Sequence, residues 1–235
     1  MEILEFDSLD STNDYLKLIS DTADDFTVAV AREQTGGKGS RGRSFFSPNG
    51  GLYMSVLIKR DIPTSHAHLL TPLAAVAVAE GLEAAGAQGC GIKWVNDIYV
   101  GGKKVCGILT ETKIAADCKT LAYAVIGIGV NILPPPGGFP DDIKDRAGAV
   151  FSKPEPDLKE RCRDSILKAL AARLENFRKK SFLSDYRLRS NLLGKKITVD
   201  GEPATAISID DECRLIVSDG ETERTLSFGE VSIRL

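Results

Sequence analysis

Four short stretches of the 235-residue chain hold the residue types that could do chemistry. The first runs from Gln34 to Arg43 and reads QTGGKGSRGR, with four glycines and three fixed cations. Glycines let backbone N–H groups close on an anion, and Lys38, Arg41 and Arg43 add charge-assisted donors around it. The stretch suits a nucleotide phosphate. It is not a P-loop, because no Lys-Ser or Lys-Thr pair closes it, and it is not a G-x-G-x-x-G loop. A solvated, flexible surface loop is the competing reading.

The second stretch is Lys93-Trp94-Val95-Asn96-Asp97. A lysine beside the only tryptophan, inside an apolar segment, is unusual because lysines rarely enter cores unpaired. It could neutralise a carboxylate or phosphate that gains charge in a transition state. Equally, it could lie along the indole with its ammonium in water. The third is Gly127-Ile128-Gly129-Val130-Asn131, where alternating glycines mark close approach of a ligand or of another backbone. The fourth is Ser11-Thr12-Asn13. These residues suit the cap of a following helix, and they equally suit a neutral urea-like group, which needs donors and acceptors together.

The elements that must position these residues follow from periodicity and turn chemistry. Strands are predicted at 2–6, 26–32, 52–59, 104–112 and 121–132, and a paired-strand turn at Asn96-Asp97 between IKWV and IYV. Helices are predicted from Asn13 to Ile19, over 66–85 with Pro72 in the first turn, and from Asp157 to about Lys179. The last should bury Leu158, Cys162, Ile166, Leu170, Leu174 and Phe177. After Ser190 the texture changes to short strands (KKITV, ATAISI, RLIVS, RTLSF, VSIRL) separated by Asp200-Gly201, Asp210-Asp211 and Asp219-Gly220, the pattern of a small β-barrel.

Composition narrows the function classes. The net charge of −3 shows no basic excess for coating nucleic acid. Five cysteines, odd in number and without a C-x-x-C pair, argue against a disulfide framework or a zinc ribbon. The N-terminus has no signal pattern and no apolar run is long enough to span a bilayer, so a cytoplasmic protein is expected.

Taken in order, these stretches resemble the biotin–protein ligase family. The resemblance runs through Asp10-Ser11-Thr12-Asn13, Gln34 with GGKGSRGR, SPNGGLYMSV, KWVND, GKKVCGIL-x-E (Gly102 to Glu111), GIGVN and a terminal GEVSIR. It implies an α+β fold, a class II aminoacyl-tRNA synthetase-like mixed sheet with helices, plus a small C-terminal SH3-like β-barrel. The expected division is 1–188 for the catalytic domain and 189–235 for the barrel.

The implied activity is ligation of biotin to a lysine of a biotin carboxyl carrier protein, using ATP with Mg2+ and passing through biotinyl-5'-adenylate. Carried over by motif, Ser11, Thr12, Asn13, Gln34, Gly37, Lys38, Gly39, Ser40, Lys93 and Gly107 would contact biotin. Lys38, Arg41, Arg43, Lys93, Asn96 and Asn131 would serve ATP and the adenylate. Lys93, Lys38 and Arg41 would be catalytic, and no residue is assigned to a metal. Ser11 already lies in the core pattern, so no helix-turn-helix domain, no nucleic acid and no membrane partner are expected; the homodimer that the family often forms is an open expectation. Four departures stand out: Ser40 where arginine is frequent, Val95 for proline, Cys106 for alanine and Phe45 for tryptophan. Lipoate–protein ligases share the fold and the adenylate chemistry, but the basic loop and the β-domain favour biotin.

Overall fold

A computed structural model describes residues 1–227 and 231–233. Its main body is a seven-stranded sheet built from β1 (Ile3–Leu9), β2 (Val28–Gln34), β3 (Leu52–Ile58), β4 (Gly91–Lys93), β5 (Asp97–Val100), β6 (Lys103–Ile114) and β7 (Leu121–Val130). Their order across the sheet is β1-β2-β3-β7-β6-β5-β4. β1 runs parallel to β2, and every other neighbouring pair is antiparallel. β3 is buried at all seven positions because it is central and covered on both faces.

The two faces differ. One packs against α2 (Leu70–Ala84) and α3 (Leu158–Glu175) and holds the main apolar core, including Val28, Met54, Ile126 and Ile128. Gly81 lets these helices meet closely, since a methyl group there would lie 2.5 Å from the Ile166 Cα. The other face carries α1 (Thr12–Leu18), whose Leu16 packs on Ala29, Leu57 and Val125.

Most expected elements are present within a few residues. The predicted helix over 66–85 divides into a 3-10 turn, Thr64–Leu69, and α2. The helix predicted to reach Lys179 ends at Glu175, because the chain tightens into a 3-10 turn at Phe177–Lys179 and Lys180 turns left-handed. Its six predicted core residues are all buried. Asp157 precedes the helix in a left-handed conformation and does not cap it. α4 (Phe182–Leu188) was not foreseen; its buried side chains are Phe182, Leu183 and Tyr186.

The C-terminal strands are β8 (Lys196–Val199), β9 (Glu202–Ile209), β10 (Leu215–Ser218), β11 (Glu223–Leu226) and β12 (Val231–Ile233). They form an antiparallel sheet ordered β11-β10-β9-β8-β12. Asp200 and Gly201 both take positive φ, as a tight hairpin turn requires. Phe228, Gly229, Glu230, Arg234 and Leu235, which belong to the RTLSF, VSIRL and GEVSIR readings, lie outside the described residues.

A polar seam joins this sheet to the main body. The indole of Trp94 donates to the Cys213 carbonyl at 2.8 Å, while within the main body the Tyr186 hydroxyl donates to the neighbouring Val95 carbonyl at 3.1 Å. Lys180 and His68 meet Glu212, and Arg187 meets Asp211. All five cysteines are free, and burial pushes the Cys162 thiol up to about 11. Among the described residues no helix is long and apolar enough to cross a membrane.

Candidate functional site

The site lies on the sheet face that carries α1. Two cross-strand rows build its floor. One runs Asp97–Gly107–Gly129–Tyr53, and the other runs Leu109–Gly127–Ser55. The glycines leave bare backbone where side chains would stand. A methyl group on Gly127 would fall 2.3 Å from the Asn13 amide oxygen, and one on Gly129 would fall 2.7 Å from the Phe45 ring. The glycines are therefore required by what lies on them. A narrow cleft opens over this floor. The Phe45 ring rests on the Gly107–Gly129 floor.

One end of the cleft is a network of buried polar side chains. Ser11, Thr12 and Asn13 enter at the start of α1, where Ser11 caps the helix by accepting from the Asp14 amide. The Thr12 amide and hydroxyl both donate to the Gln34 side-chain oxygen, at 2.9 and 3.1 Å. The Ser55 hydroxyl donates to the Asn13 amide oxygen at 2.6 Å, while the Asn13 amide nitrogen donates to Glu111 at 2.7 Å. Gln34 donates to the Ser47 hydroxyl at 3.0 Å. This end is neutral at the cleft and offers both donors and acceptors held in place.

The other end is charged. Lys104 Nζ stands 2.6 Å from the Asp97 carboxylate, beside Gly107. A bulge puts it there. β5 and β6 slip register between Ile98 and Tyr99, so Val105 and Cys106 both face the α2 core and Lys104 turns to the cleft. Without that extra residue, strict alternation would aim Lys104 to the same side as Cys106. Asn96 braces the same corner by donating to the Ile108 carbonyl at 2.9 Å.

The Gly-rich stretch folds as a short hairpin over the cleft mouth. Lys38 pairs with Ser44, the Gly39 amide donates to the Arg43 carbonyl at 2.7 Å, and the Phe45 amide donates to the Gly37 carbonyl at 2.8 Å. Arg41 sits at its tip with φ of 60°.

The structure brings together Ser11, Thr12, Asn13, Gln34, Lys38, Gly39, Ser40, Asn96 and Gly107 around one cleft. It leaves five expected residues off the lining. Gly37 lies in the hairpin base, and Arg41 and Arg43 are exposed on the hairpin. Asn131 donates to the Gly148 carbonyl at 2.9 Å and fixes the chain beyond β7. Lys93 ends β4, its ammonium 5.9 Å from the centre of the Tyr99 ring. Sequence reasoning left Lys104, Met54, Ile108 and Leu109 out of the site, and Gly127, Gly129 and Phe45 without a role in it. The glycine alternation in GIGVN was the signal for the floor. Lys104 stands in GKKVCGIL, three residues before Gly107, where no local pattern turns it to the cleft.

Residues 5–131 match the model of the Biotin/lipoate A/B protein ligase family. The chain belongs to this family. Its Bifunctional ligase/repressor BirA relative from Bacillus subtilis (strain 168) is 42% identical over 132 residues, which is 56% of this chain and 40% of BirA. The chain thus spans less than half the length of that relative. The Biotin--[acetyl-CoA-carboxylase] ligase of Mycobacterium tuberculosis is 29% identical across 94% of this chain and 85% of the relative. Among solved structures, the biotin protein ligase from Aquifex aeolicus in complex with biotin and ATP superposes with a TM-score of 0.81 at 27% identity, covering 99% of this chain and 98% of that one. In this family member the mixed sheet, α1 and the basic hairpin frame a single cleft, and the C-terminal sheet is held against the turn from Trp94 to Asn96.

Proposed function

We propose that this protein joins biotin to a lysine of a biotin carboxyl carrier protein at the expense of ATP. The observation that carries the reading is a family cleft with a buried, neutral ring of donors and acceptors at one end and a lysine at the other. A ureido group needs donors and acceptors together, which Ser11, Thr12, Asn13 and Gln34 supply. The dithiolane of lipoate has no such groups and would leave that buried network unanswered. The glycine floor and the Phe45 ring would flank the bicycle and its chain, and the carboxylate would reach Lys104.

The chemistry is then an acyl adenylation. The biotin carboxylate attacks the α-phosphate of ATP and pyrophosphate leaves. The carrier lysine attacks the acyl carbon and AMP leaves. Charge gathers on the oxygens between carboxylate and phosphate, and a fixed ammonium there is worth far more in a dry cleft than in water. Lys104 occupies that position, so we assign it the role that the motif reading gave to Lys93. Lys38 and Ser40 would lie against the phosphate, with Arg41 and Arg43 reaching it only if the hairpin closes further. Mg2+ would travel with the triphosphate, keeping most of its ligands from phosphate and water. We take residues 1–188 as the catalytic unit and 189–235 as a small SH3-like domain leaning on it.

Isothermal titration with biotin and with lipoate, followed by transfer to a purified carrier domain, tests the proposal. Biotin should bind and be transferred. Preferential binding of lipoate, with no biotin transfer, would overturn it.

A further inference from the structure

On its outer side the hairpin meets α1 through an ion pair between Lys38 and Asp14. Lys38 Nζ lies 2.7 and 2.9 Å from the two oxygens of Asp14. Asp14 belongs to an alternating chain of charges: it also meets Lys17 at 2.7 Å, Lys17 meets Glu111 at 2.7 Å, and Glu111 accepts from Asn13 in the cleft floor. Burial acts to raise the Asp14 pKa, but Lys17 and Lys38 outweigh it and hold the carboxyl below its ordinary value. At the hairpin base, backbone bonds from Thr35 to Leu9 and from Gly36 to Asp10 tie it to the β1–α1 turn, and the Thr35 hydroxyl donates to the Asp10 carboxylate at 3.2 Å.

Lys38 therefore serves two anions. Lys38 lines the cleft, where the reading above places a phosphate, yet a carboxylate of the same chain already holds its ammonium. A bound phosphate would have to share that ammonium with the carboxylate, and a carboxylate near the mouth also repels an arriving phosphate. We infer that Asp14 is a positioning residue, an internal counter-ion that latches the hairpin to α1 and competes with the ligand phosphate for Lys38. The inference rests on the proposed acyl-adenylate chemistry for the identity of the phosphate, but the latch itself is a property of the ligand-free protein. It makes the hold on the acyl-adenylate a balance between two anions rather than a property of the basic hairpin alone.

The test uses the full chain and Asp14→Asn, which keeps the shape of the side chain. In the ligand-free protein, amide hydrogen exchange over residues 36–45 should rise several-fold in Asp14→Asn while the amides of β6 and β7 stay unchanged. Added salt should speed exchange of that segment in the wild type and not in the variant, because only the wild type has a pair to screen. The double variant Asp14→Lys with Lys38→Asp should restore slow exchange by reversing the pair. With biotin and MgATP, acyl-adenylate formed on Asp14→Asn should dissociate about three- to tenfold more slowly than from wild type, the scale of one partly exposed ion pair plus a removed like charge. Unchanged exchange and unchanged salt response in Asp14→Asn overturn the latch whatever the substrate is. Failure of the wild type to form any acyl-adenylate instead overturns the biotin assignment, and the ligand-free exchange still decides the latch.

Discussion

At the scale of single residues, the cleft separates Lys93, which the motif reading made catalytic, from Lys104, to which it gave no role. Lys104→Gln should slow single-turnover pyrophosphate release by roughly a hundred- to a thousandfold, the usual effect of removing one group aimed at developing charge. Lys93→Ala should change the same rate by less than about fivefold, because Lys93 lies off the cleft lining, with its ammonium over the Tyr99 ring. Equal losses in the two variants would return Lys93 to the chemistry. Ser40 gives a second test. It lines the cleft where an arginine could add a charge-assisted bond, worth about 1.5–3 kcal/mol. Ser40→Arg should therefore slow release of biotinyl-adenylate at least about tenfold and reduce labelling of a bystander protein. No change in either quantity makes Ser40 a neutral hairpin residue. The polar end of the site was legible, because Ser11, Thr12, Asn13 and Gln34 stand at ends of elements with strong local signals. Lys104 was not legible, because its orientation depends on a bulge, and alternation alone points it into the core.

At the scale of elements, the close contact of α2 with α3 depends on Gly81. An added methyl would meet backbone atoms of Ile166, which cannot swing aside as a side-chain end would. Gly81→Ala should lower stability by about 1–3 kcal/mol, seen as a lower Tm, with biotin affinity retained below the transition. A Tm at or above wild type would show that the helices separate without cost. The strong patterns here were readable. α2 is rich in alanine and apolar throughout, and the buried stripe of α3 keeps a four-residue spacing. α4 went unseen because it is seven residues long with three buried side chains, too short for a period to emerge. The C-terminal strands were announced by Asp-Gly turns, but sheet order is set by contacts far apart in the chain, and no local signal carries it.

At the scale of the whole molecule, the seam between the main body and the C-terminal sheet is partly electrostatic. The hydrogen bond and charge of Lys180, with His68 nearby, hold the Glu212 carboxyl below its ordinary value despite some burial. A carboxyl whose pKa is lowered by folding adds stability that is complete above its ordinary value of 4.5 and is lost as pH falls through the lower folded one. Tm measured from neutral pH to about pH 3 should therefore start lower in Glu212→Gln than in wild type, and the two curves should converge at the acid end. Parallel curves would show that Glu212 carries no such linkage.

The Trp94 contact with Cys213 has an optical consequence. Trp94 is the only tryptophan in the chain, and its indole is buried at the seam rather than in the cleft. Its hydrogen bond crosses from the main body to the C-terminal sheet. The protein thus contains an intrinsic fluorophore that reads one boundary. Parting of the two bodies would wet the indole and move its emission to the red. Motion of the hairpin alone would leave that emission unchanged, while the tyrosine signal from Tyr53, which meets Phe45 edge-on, responds. One spectrum, taken as substrate is added, separates closure of the mouth from rearrangement of the whole.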